Sequence, residues 1–490
     1  MFSEALLADL TRLNPWWDNK PMPEQPPTRR HLVSQIHRRI ELNLAPIVVV
    51  RGPRQIGKTT AQMQVIDDLL KSGVAPHRVL RVQFDELEEL TTMKDPVLRL
   101  CDWFEKRILG KTFNEAAANG IPAYLFFDEV QNLKDWAPQL KFLVDSSTVR
   151  VFVTGSSALR IERERDSLAG RISSIETGVL SLTEIGMIRG IADTKPFLPD
   201  NGLEPLTKAV FWQDLRTYGL DHATFRDTAF SFFSERGGYP LVHKKAKVPW
   251  PQIADQLNET VIKRVIKHDL RVGEVGRKRD PVLLEELFRL VCRYAGQSPS
   301  VTLFARETQR ALQADIGTQR IRTYLRFLAD TLLIRLVEPL EIALKKKKGN
   351  AKLCLVDHGL RASWLQEQVP LVPDILSGHP EWASLAGHLA ESITGAALST
   401  INGLQLAHLP VRNDDPEVDF VMIVGALRIP VEVKYQTRIE PLRDTEGLRT
   451  FLEKKANNAP FGLLIVQDDR TTVPDPRIIT LPLSSLMLLR

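Results

Sequence analysis

Residues 52–60 have the types and spacing of a phosphate-binding loop. The sequence GPRQIGKTT fits the pattern GxxxxGK[ST]. Glycines let backbone N–H groups curl around phosphate oxygens, and a helix that begins at Lys58 would direct the positive end of its dipole at them. In this pattern the lysine contacts the β- and γ-phosphates, and the hydroxyl of Thr59 binds Mg²⁺. The expected nucleotide-binding residues are Gly52, Pro53, Arg54, Gln55, Ile56, Gly57, Lys58, Thr59 and Thr60.

Two adjacent carboxylates follow an apolar run and supply the remaining chemistry. Asp128 and Glu129 come directly after residues 124–127, Tyr-Leu-Phe-Phe. Because ligands lie at the carboxyl ends of strands in an open α/β sheet, Asp128 is expected in the Mg²⁺ shell and Glu129 beside an attacking water. The acid pair favours hydrolysis over binding alone, and the sequence has no NKxD guanine-reading motif, which favours ATP over GTP. A solvated acid pair is the alternative interpretation.

Hydroxyl residues and an arginine further along are candidates for contacting the phosphates. Residues 154–157, Thr-Gly-Ser-Ser, end the next apolar run and would place Ser156 beside the γ-phosphate. Arg171, in the sequence SLAGR, is the candidate arginine finger, acting in its own subunit or across a subunit boundary. The arginines that could take that role instead, or be solvated, are Arg160, Arg163 and Arg165.

The loop requires a strand before it and a helix after it, and the sequence pattern predicts both. The apolar runs typical of strands buried on both faces of a parallel sheet are residues 47–50, 79–84, 124–127 and 149–154. Helical periodicity separates these runs, which predicts a doubly wound α/β domain. The pattern is mostly helical from 203 to about 279, indicates three short helices and a wing at 281–340, and is mixed α/β from 353.

The motifs together resemble the AAA-type ATPases of bacteria and archaea that carry a C-terminal DUF4143 domain. In order they are GPRQIGKTT, LFFDEVQN, VTGSSALR, SLAGR, RGGYP at 236–240 and IKHDL at 266–270. The resemblance implies an AAA+ fold in a ring of identical subunits, with nucleotide between subunits and an arginine supplied in trans. The domains it predicts are a helical N-terminal segment, a P-loop ATPase domain, a helical lid, a winged helix and a nuclease-like α/β domain, at residues 1–40, 41–195, 196–280, 281–342 and 343–490.

A basic excess lies in the middle of the chain. Residues 261–350 contain 19 Lys/Arg and 10 Asp/Glu, a balance of +9, whereas the whole chain has 65 and 60, a balance of +5. The helix predicted at 318–328 has an apolar face, Ile321, Tyr324, Leu325 and Leu328, and a polar face, Gln319, Arg320, Arg322, Thr323 and Arg326. Such a polar face is typical of a recognition helix in the DNA major groove, and a protein–protein module is the alternative. Residues 345–348, all lysine, are either a phosphate contact or a solvated hairpin tip.

Two strand patterns near the C-terminus predict a β-hairpin. Residues 417–424 and 427–434 flank Gly425-Ala426, and a two-residue turn with Gly first suits a type II′ turn. The register pairs position 424 with 427, so every opposed pair sums to 851. Pro430 has no N–H to donate, which predicts a sheet edge or a bulge at that position.

This register gathers charged residues on one face of the hairpin. Asp419 falls opposite Glu432, and Glu417 falls opposite Lys434. Opposed Cβ atoms lie about 5 Å apart, close enough for Asp419 and Glu432 to share a divalent metal ion, and Lys434 could then polarise a phosphate. A solvated hairpin with salt bridges is the alternative.

The spacing D-x12-E-x-K, after a helix with Glu391, resembles the PD-(D/E)xK nuclease superfamily. In that resemblance Glu391, Asp419 and Glu432 are metal ligands and Lys434 is catalytic, which implies metal-assisted phosphodiester hydrolysis. Domains of this kind can also persist as DNA-binding folds without cleavage.

Composition excludes several classes of protein. No apolar run approaches the about 18 residues of a membrane span, and the N-terminus lacks a basic region followed by an apolar stretch. The three cysteines, at 101, 292 and 354, are too far apart for a disulfide framework or a zinc ribbon.

We expect a cytoplasmic ATPase, with ATP and Mg²⁺, that acts on DNA by remodelling or migrating branched DNA, as a homo-oligomeric ring with no membrane partner. The alternatives are an ATP-controlled oligomerisation switch with an effector end, in phage defence, and an ATP-dependent module that tethers protein partners.

Overall fold

The computed structural model describes residues 2–118, 120–155, 168–191, 194–198, 202–269, 280–341, 349–411 and 416–490. The chain divides into two compact units, Met1–Gly178 and Val179–Arg490. Among the described helices, none combines the length and the apolar character that a bilayer span requires. We call the two parts unit 1 and unit 2 and describe each by itself.

Unit 1 is built on a five-stranded sheet in the order β2-β3-β4-β1-β5. Its strands are β1 Ile47–Arg51, β2 Val79–Gln83, β3 Ala123–Asp128, β4 Val149–Gly155 and β5 Ile172–Glu176. All neighbouring pairs are parallel, so the predicted parallel sheet is confirmed, with β5 as a strand that the apolar runs did not indicate. The helices are Glu4–Leu13, His31–Leu42, Lys58–Lys71, Glu88–Thr92, Pro96–Phe104, Phe113–Ala118 and Trp136–Ser146.

Both faces of this sheet are covered. Ile47 and Val49 of β1 pack into one apolar cluster, whereas Val48 and Val50 pack into a second cluster on the other face. Successive side chains of a strand point to opposite faces, so a strand with two buried faces must be apolar at every position. The apolar run before the loop is continuous because β1 is buried on both faces.

The N-terminal segment covers the exposed edge of the sheet at β2. The amide side chain of Asn14 donates to the carbonyl of Arg81 (2.8 Å) and accepts from the N–H of Arg81 (2.6 Å), as a neighbouring strand would. The indole N–H groups of Trp16 and Trp17 both donate to the carbonyl of Val79, at 3.0 and 2.9 Å. The sequence NPWW therefore satisfies backbone groups of an edge strand that could otherwise pair with another chain.

Unit 2 contains a mixed seven-stranded sheet in the order β12-β11-β10-β9-β8-β6-β7. Its strands are β6 Ile334–Pro339, β7 Lys352–Leu355, β8 Gln405–Leu409, β9 Val418–Val424, β10 Leu427–Lys434, β11 Gly462–Val466 and β12 Ile478–Pro482. Its helices are Leu182–Arg189, Ala209–Asp221, Ala223–Arg236, Pro240–Lys244, Trp250–Leu257, Pro281–Arg293, Val301–Leu312, Thr318–Asp330, His358–Leu365, Pro373–Ser377, Ala383–Ser399, Glu446–Glu453 and Leu483–Leu486.

The hairpin β9–β10 has the register that the sequence predicted. Val424 pairs with Leu427, and Phe420 pairs with Val431. Pro430 remains in register opposite Val421, without a bulge. The pairing of β10 with β11 begins only at Val431, so Pro430 lies where the second edge of β10 has no strand partner. A residue without an N–H is tolerated at such an edge.

The helix Thr318–Asp330 is amphipathic as predicted, and the strand after it joins the seven-stranded sheet. All four residues of the predicted apolar face are buried, and all five of the polar face are exposed. β6 pairs antiparallel with β7 and parallel with β8, so it lies inside the seven-stranded sheet. Residues 334–337 pair with β7 and residues 338–339 with β8, so β6 is part of the main sheet of unit 2, and the winged helix stays a prediction. Residues 345–348 lie outside the described residues.

The motif RGGYP has a structural role in unit 2. The N–H of Gly238 donates to the buried carboxylate of Asp357 (2.5 Å), and the N–H of Gly359 donates to its other oxygen (2.6 Å). Gly237 has φ +79, and a Cβ at that position would lie 2.1 Å from Asp357 Oδ1. The backbone of the motif therefore binds the carboxylate of Asp357, which lies 119 positions after Gly238 in the chain. The lid, winged-helix and nuclease-like segments that the resemblance predicted lie mainly in this one compact unit.

The contact of Asn14 with β2 can be tested by mutation. The substitution Asn14→Ala leaves the N–H and the C=O of Arg81 without partners and should lower the free energy of unfolding by about 2 kcal/mol. We expect a lower urea midpoint and faster hydrogen exchange at the Arg81 amide. The matched control, Arg12→Ala, removes exposed ion pairs with Asp9 and Glu86 and should change neither quantity. Unchanged exchange at Arg81 in the Asn14 variant would show that the edge is protected in another way.

Candidate nucleotide site and acidic cleft

The loop after β1 has the backbone geometry of an anion cradle. Gln55 and Gly57 both have positive φ, +62 and +92, and such alternation turns N–H groups toward a common centre. Gly57 is the N-cap of the helix Lys58–Lys71, so the helix dipole points at the same centre. At Gly52 a Cβ would lie 2.5 Å from the carbonyl oxygen of Thr177, which explains the requirement for glycine there.

Lys58 and Arg30 hold the loop in this shape. Lys58 is buried, and its ammonium donates to the carbonyls of Gly52 (2.9 Å) and Pro53 (2.8 Å). Arg30 donates to the carbonyl of Ile56 at 2.7 Å. The Lys58 ammonium thus lies within the loop that is expected to bind phosphate. Arg30 was not predicted, because it lies 22 residues before the motif.

Asp128 lies at the centre of the site and is fully buried at the carboxyl end of β3. The Thr59 hydroxyl donates to its Oδ2 at 2.7 Å, and the Thr154 hydroxyl of β4 donates to Oδ1. The guanidinium of Arg81 on β2 lies 3.7 Å from Oδ2. Burial raises the pKa of Asp128, and the charge of Glu129 adds to this, whereas the Thr154 and Thr59 hydrogen bonds and Arg81 oppose it. The sequence did not indicate Arg81, because nothing around it distinguishes it from any other polar residue of a strand.

Glu129 has a strained backbone, with φ +52 in the left-handed region. Its N–H donates to the Thr154 hydroxyl (3.3 Å), and its carboxylate accepts from the Gln131 side-chain amide. Strain of this kind at a non-glycine residue costs roughly 1–3 kcal/mol and is common at functional sites. Glu129 is half-buried, whereas Asp128 is fully buried.

The oxygens of Thr59 and Asp128 suit Mg²⁺. A hydroxyl and a carboxylate oxygen already lie 2.7 Å apart, and both are hard ligands of the type that this ion prefers. The two residues predicted to hold Mg²⁺ are therefore brought together, beside the loop predicted to hold the phosphates.

The predicted acidic residues of unit 2 also come together, in a cleft with a volume of about 540 Å³. Glu391, Asp419, Glu432 and Lys434 all line it. The N–H of Val433 donates to Asp419 Oδ2 at 2.9 Å, and Lys434 Nζ lies 2.6 Å from Glu432 Oε1. The hairpin positions these side chains, and the helix Ala383–Ser399 contributes Glu391.

A lysine that the sequence did not indicate lies between these carboxylates. Lys352 of β7 is 2% exposed, and its Nζ lies 2.7 Å from Glu391 Oε2 and 2.5 Å from Asp419 Oδ1. Glu417 lies further away, at 3.7 Å. Lys352 belongs to no motif, and only the pairing of β7 with β6 at the edge of the sheet places it here. We call Lys352, Glu391, Asp419, Glu432 and Lys434 the acidic cleft.

The charges of the acidic cleft shift several pKa values. Although burial lowers the pKa of Lys352, the charges of Asp419 and Glu391 raise it well above its ordinary value. Burial opposes ionisation of Asp419, but Lys352 holds the pKa of this carboxyl below its ordinary value. Burial and the charge of Asp419 raise the pKa of Glu432 to about 8.

These residues do not fit a divalent metal ion as arranged. The Lys352 ammonium contacts the oxygens of Glu391 and Asp419 that an ion would have to share. No group of three or more potential metal ligands is found among the described residues. Glu391 and Asp419 converge on the buried Lys352 ammonium, whereas Glu432 contacts Lys434, so the arrangement differs from the expected metal site of three carboxylates.

Comparison with known families agrees with the geometry of unit 1. Residues 44–186 match the family model described as an AAA domain. This match supports a P-loop domain of the AAA type in this part of the chain. A second model, described as a domain of unknown function (DUF8612), matches residues 228–369, a stretch that includes RGGYP and Asp357. The resemblance to DUF4143 is thus not confirmed.

The curated relatives are uncharacterized proteins. One, from Mycobacterium tuberculosis, is 23% identical over 336 residues, which cover 68% of this chain and 58% of the relative. Another, from Methanocaldococcus jannaschii, is 31% identical over 155 residues, 30% of either chain. The chain thus spans less than two thirds of the length of these relatives.

Solved structures with partial similarity include three proteins of low TM-score. A Walker-type ATPase of Pyrococcus abyssi has 11% identity and a TM-score of 0.37, and covers 71% of this chain and 99% of its own. The Holliday junction branch migration motor RuvB of Thermotoga maritima has 12% identity and a TM-score of 0.27, over 64% and 93% of the chains. Cdc6p of Pyrobaculum aerophilum has 11% identity and a TM-score of 0.26, over 72% and 97%.

Arg171 lies at the opposite end of the sheet from the loop. Its carbonyl accepts from the N–H of Ile47, at the amino end of β1, whereas the loop follows the carboxyl end. A five-residue strand separates the two ends by about 16 Å. The guanidinium pairs with Asp145 of the same unit, with Nε 2.5 Å from Oδ1. A role for Arg171 at the nucleotide of its own subunit is therefore wrong, and a role across a subunit boundary stays a prediction. Ser156 and the three alternative arginines lie outside the described residues.

The role of Glu129 can be separated from that of Asp128. In the variant Glu129→Gln the loop, Thr59 and Asp128 are unchanged, so binding of ATP should persist while steady-state hydrolysis falls at least about 100-fold. Fluorescent-nucleotide binding and phosphate release measure the two quantities. The exposed Glu41→Gln substitution is the matched control and should leave both unchanged. Hydrolysis that survives in the Glu129 variant would assign activation of water to another residue.

Proposed function

We propose that this protein hydrolyses ATP at the P-loop of unit 1 and uses the nucleotide cycle to act on DNA. The observation that carries the ATPase proposal is the contact between Thr59 and Asp128, at 2.7 Å, directly beside the loop with Lys58. The match of residues 44–186 to the AAA domain supports it.

Each residue has a defined task in this proposal. The N–H groups of the loop and the Lys58 ammonium bind the phosphates of ATP. Mg²⁺, held by Thr59 and Asp128, would neutralise charge on the β- and γ-phosphates. Glu129 accepts the proton of the attacking water, and its position outside the buried pocket of Asp128 leaves it accessible to that water. Ser156 is proposed to contact the γ-phosphate.

We further infer a homo-oligomeric ring, in which Arg171 acts at the nucleotide of a neighbouring subunit. The Arg171 side chain is about one-third exposed, and its partner Asp145 is exposed as well. An exposed ion pair is weak, so a stronger anionic partner such as a phosphate could displace Asp145.

The DNA part of the proposal depends on the helix Thr318–Asp330. Its exposed polar face combines arginine, glutamine and threonine, the side chains that read base edges and phosphates. In the described part of the chain, Arg322 and Arg326 have no ion-pair partner that would neutralise them. Branched DNA that is remodelled or migrated is the substrate class we propose. Cleavage by the acidic cleft is not part of this proposal, because Lys352 occupies the position of the cation.

Steady-state ATP hydrolysis with and without DNA tests the proposal. We expect turnover that single-stranded, duplex or four-way-junction DNA stimulates several-fold, and that Lys58→Ala abolishes because the phosphates lose their cation. Stimulation by one form of DNA would define the substrate. Turnover that depends on Lys58 but responds to no DNA would contradict the DNA part, and ATP-dependent assembly under those conditions would indicate the oligomerisation switch.

The helix face is tested by the salt dependence of DNA binding. Replacing both Arg322 and Arg326 by Ala should weaken duplex binding and reduce the slope of log K against log[salt] by roughly 2, about one per lost phosphate contact. Fluorescence anisotropy at several salt concentrations measures the slope. The matched control replaces two other exposed arginines of unit 2, Arg438 and Arg470, by Ala, and the slope should stay the same as in the natural chain. Equal slopes in both double variants would place the DNA contact elsewhere.

A further inference from the structure

The acidic cleft contains a buried cation of its own. Lys352 is almost inaccessible to solvent, and its Nζ contacts one oxygen of Glu391 and one of Asp419. The same ammonium lies 5.2 Å from the centre of the Phe420 ring. A buried charge is costly unless it is paired, so these contacts are what allow Lys352 to remain charged there.

Several elements fix the position of Lys352. β7 pairs antiparallel with β6, with Lys352 opposite Val337. The N–H of Leu355 donates to the Ser392 hydroxyl at 2.9 Å, which ties β7 to the helix that carries Glu391. The stem of Lys352 is therefore held by backbone pairing at β7, and its ammonium bridges this helix and β9.

Lys352 contacts the oxygens through which Glu391 and Asp419 face each other. An ion that uses Glu391 Oε2 and Asp419 Oδ1 must approach both oxygens to about 2.0–2.6 Å. The second oxygen of Asp419 accepts the N–H of Val433 at 2.9 Å, and that of Glu391 lies 3.6 Å from His388 Nδ1. Glu391 Oε2 and Asp419 Oδ1 lie 2.7 and 2.5 Å from the Lys352 nitrogen, so such an ion and the ammonium would be in contact. Like charges at that distance in a buried site repel strongly, and only one of them can be present.

The second lysine reinforces this arrangement. Lys434 Nζ lies 2.6 Å from Glu432 Oε1, so every carboxylate predicted to bind metal already has an ammonium partner. Within the acidic cleft the two ammonium groups thus offset two of the three negative charges when all five residues are ionised, although Glu417, Asp444 and Glu446 line the same cavity.

We propose that the Lys352 ammonium takes the place of a divalent metal ion in the acidic cleft, so that unit 2 holds its carboxylates together without metal and excludes Mg²⁺ and Mn²⁺. The cleft then has no metal-dependent nuclease activity. Removing the Lys352 charge, while retaining the carboxylates, creates a metal site that the natural chain does not have.

Counting bound Mn²⁺ by electron paramagnetic resonance tests this proposal. The measurements use the full chain without nucleotide and carry Asp128→Asn, which removes the metal-binding carboxylate of unit 1. With Lys352 intact we expect no bound Mn²⁺ at millimolar concentration. An ion that binds this protein and is lost when Asp419→Asn is added would overturn the proposal, and this measurement needs no change at Lys352.

The converse measurement uses Lys352→Met, which keeps the length of the side chain and removes its charge. We expect this variant to bind one Mn²⁺ per chain at least tenfold more tightly than the protein with Lys352, and to lose that ion when Asp419→Asn is added. Lys208→Met removes the charge of an exposed lysine paired with Glu204 and should not create a site. A folded Lys352→Met protein that binds no Mn²⁺ would also overturn the proposal. If this variant does not fold, Lys352→Gln replaces it, with circular dichroism as the check on folding.

Discussion

The buried carboxylate of Asp128 is the interaction on which unit 1 depends. Asp128 ends a strand in the interior of the sheet, where a charge without partners would be costly. Its oxygens therefore collect partners from three elements: Thr59 of the helix after the loop, Thr154 of β4 and Arg81 of β2. The same contacts that make burial tolerable bring together the hydroxyl, the carboxylate and the loop that phosphate chemistry needs.

The N-terminal segment is connected to this carboxylate through one residue. Asn14 pairs with both backbone groups of Arg81, whose side chain contacts Gln62 and Gln83 and points toward Asp128. A segment that covers a sheet edge thus also fixes the backbone of a residue beside the nucleotide site. Burial lowers the pKa of Arg81, although nearby carboxylates raise it. The Arg81 guanidinium can stay charged at this position because hydrogen-bond acceptors and a carboxylate surround it.

Unit 2 solves a similar electrostatic problem in a different way. Asp419 and Glu432 are buried, and Lys352 and Lys434 contact them directly. In unit 1 the cation near the carboxylate is 3.7 Å away and leaves the contact between Thr59 and Asp128 intact, whereas in unit 2 it bridges the carboxylates. The distance from ammonium or guanidinium to carboxylate thus separates a site that suits a metal from one that excludes it.

The sequence by itself determined the features that depend on local periodicity and on short-range motifs. These are the loop between β1 and its helix, the parallel strands with two buried faces, the faces of the helix Thr318–Asp330 and the register of the hairpin β9–β10. Each follows from the alternation of side chains or from a turn that fixes its own neighbours.

Tertiary structure alone decided where Arg81, Arg171 and Lys352 lie, because long-range strand pairing places them and no local pattern distinguishes them from other polar residues. It also made β6 a strand of the main sheet, since its second partner, β8, lies about 70 residues further along the chain. The convergence of Asp419 and Glu432 can thus be predicted from their own sequence neighbours, but the Lys352 cation that contacts Asp419 comes from elsewhere in the fold.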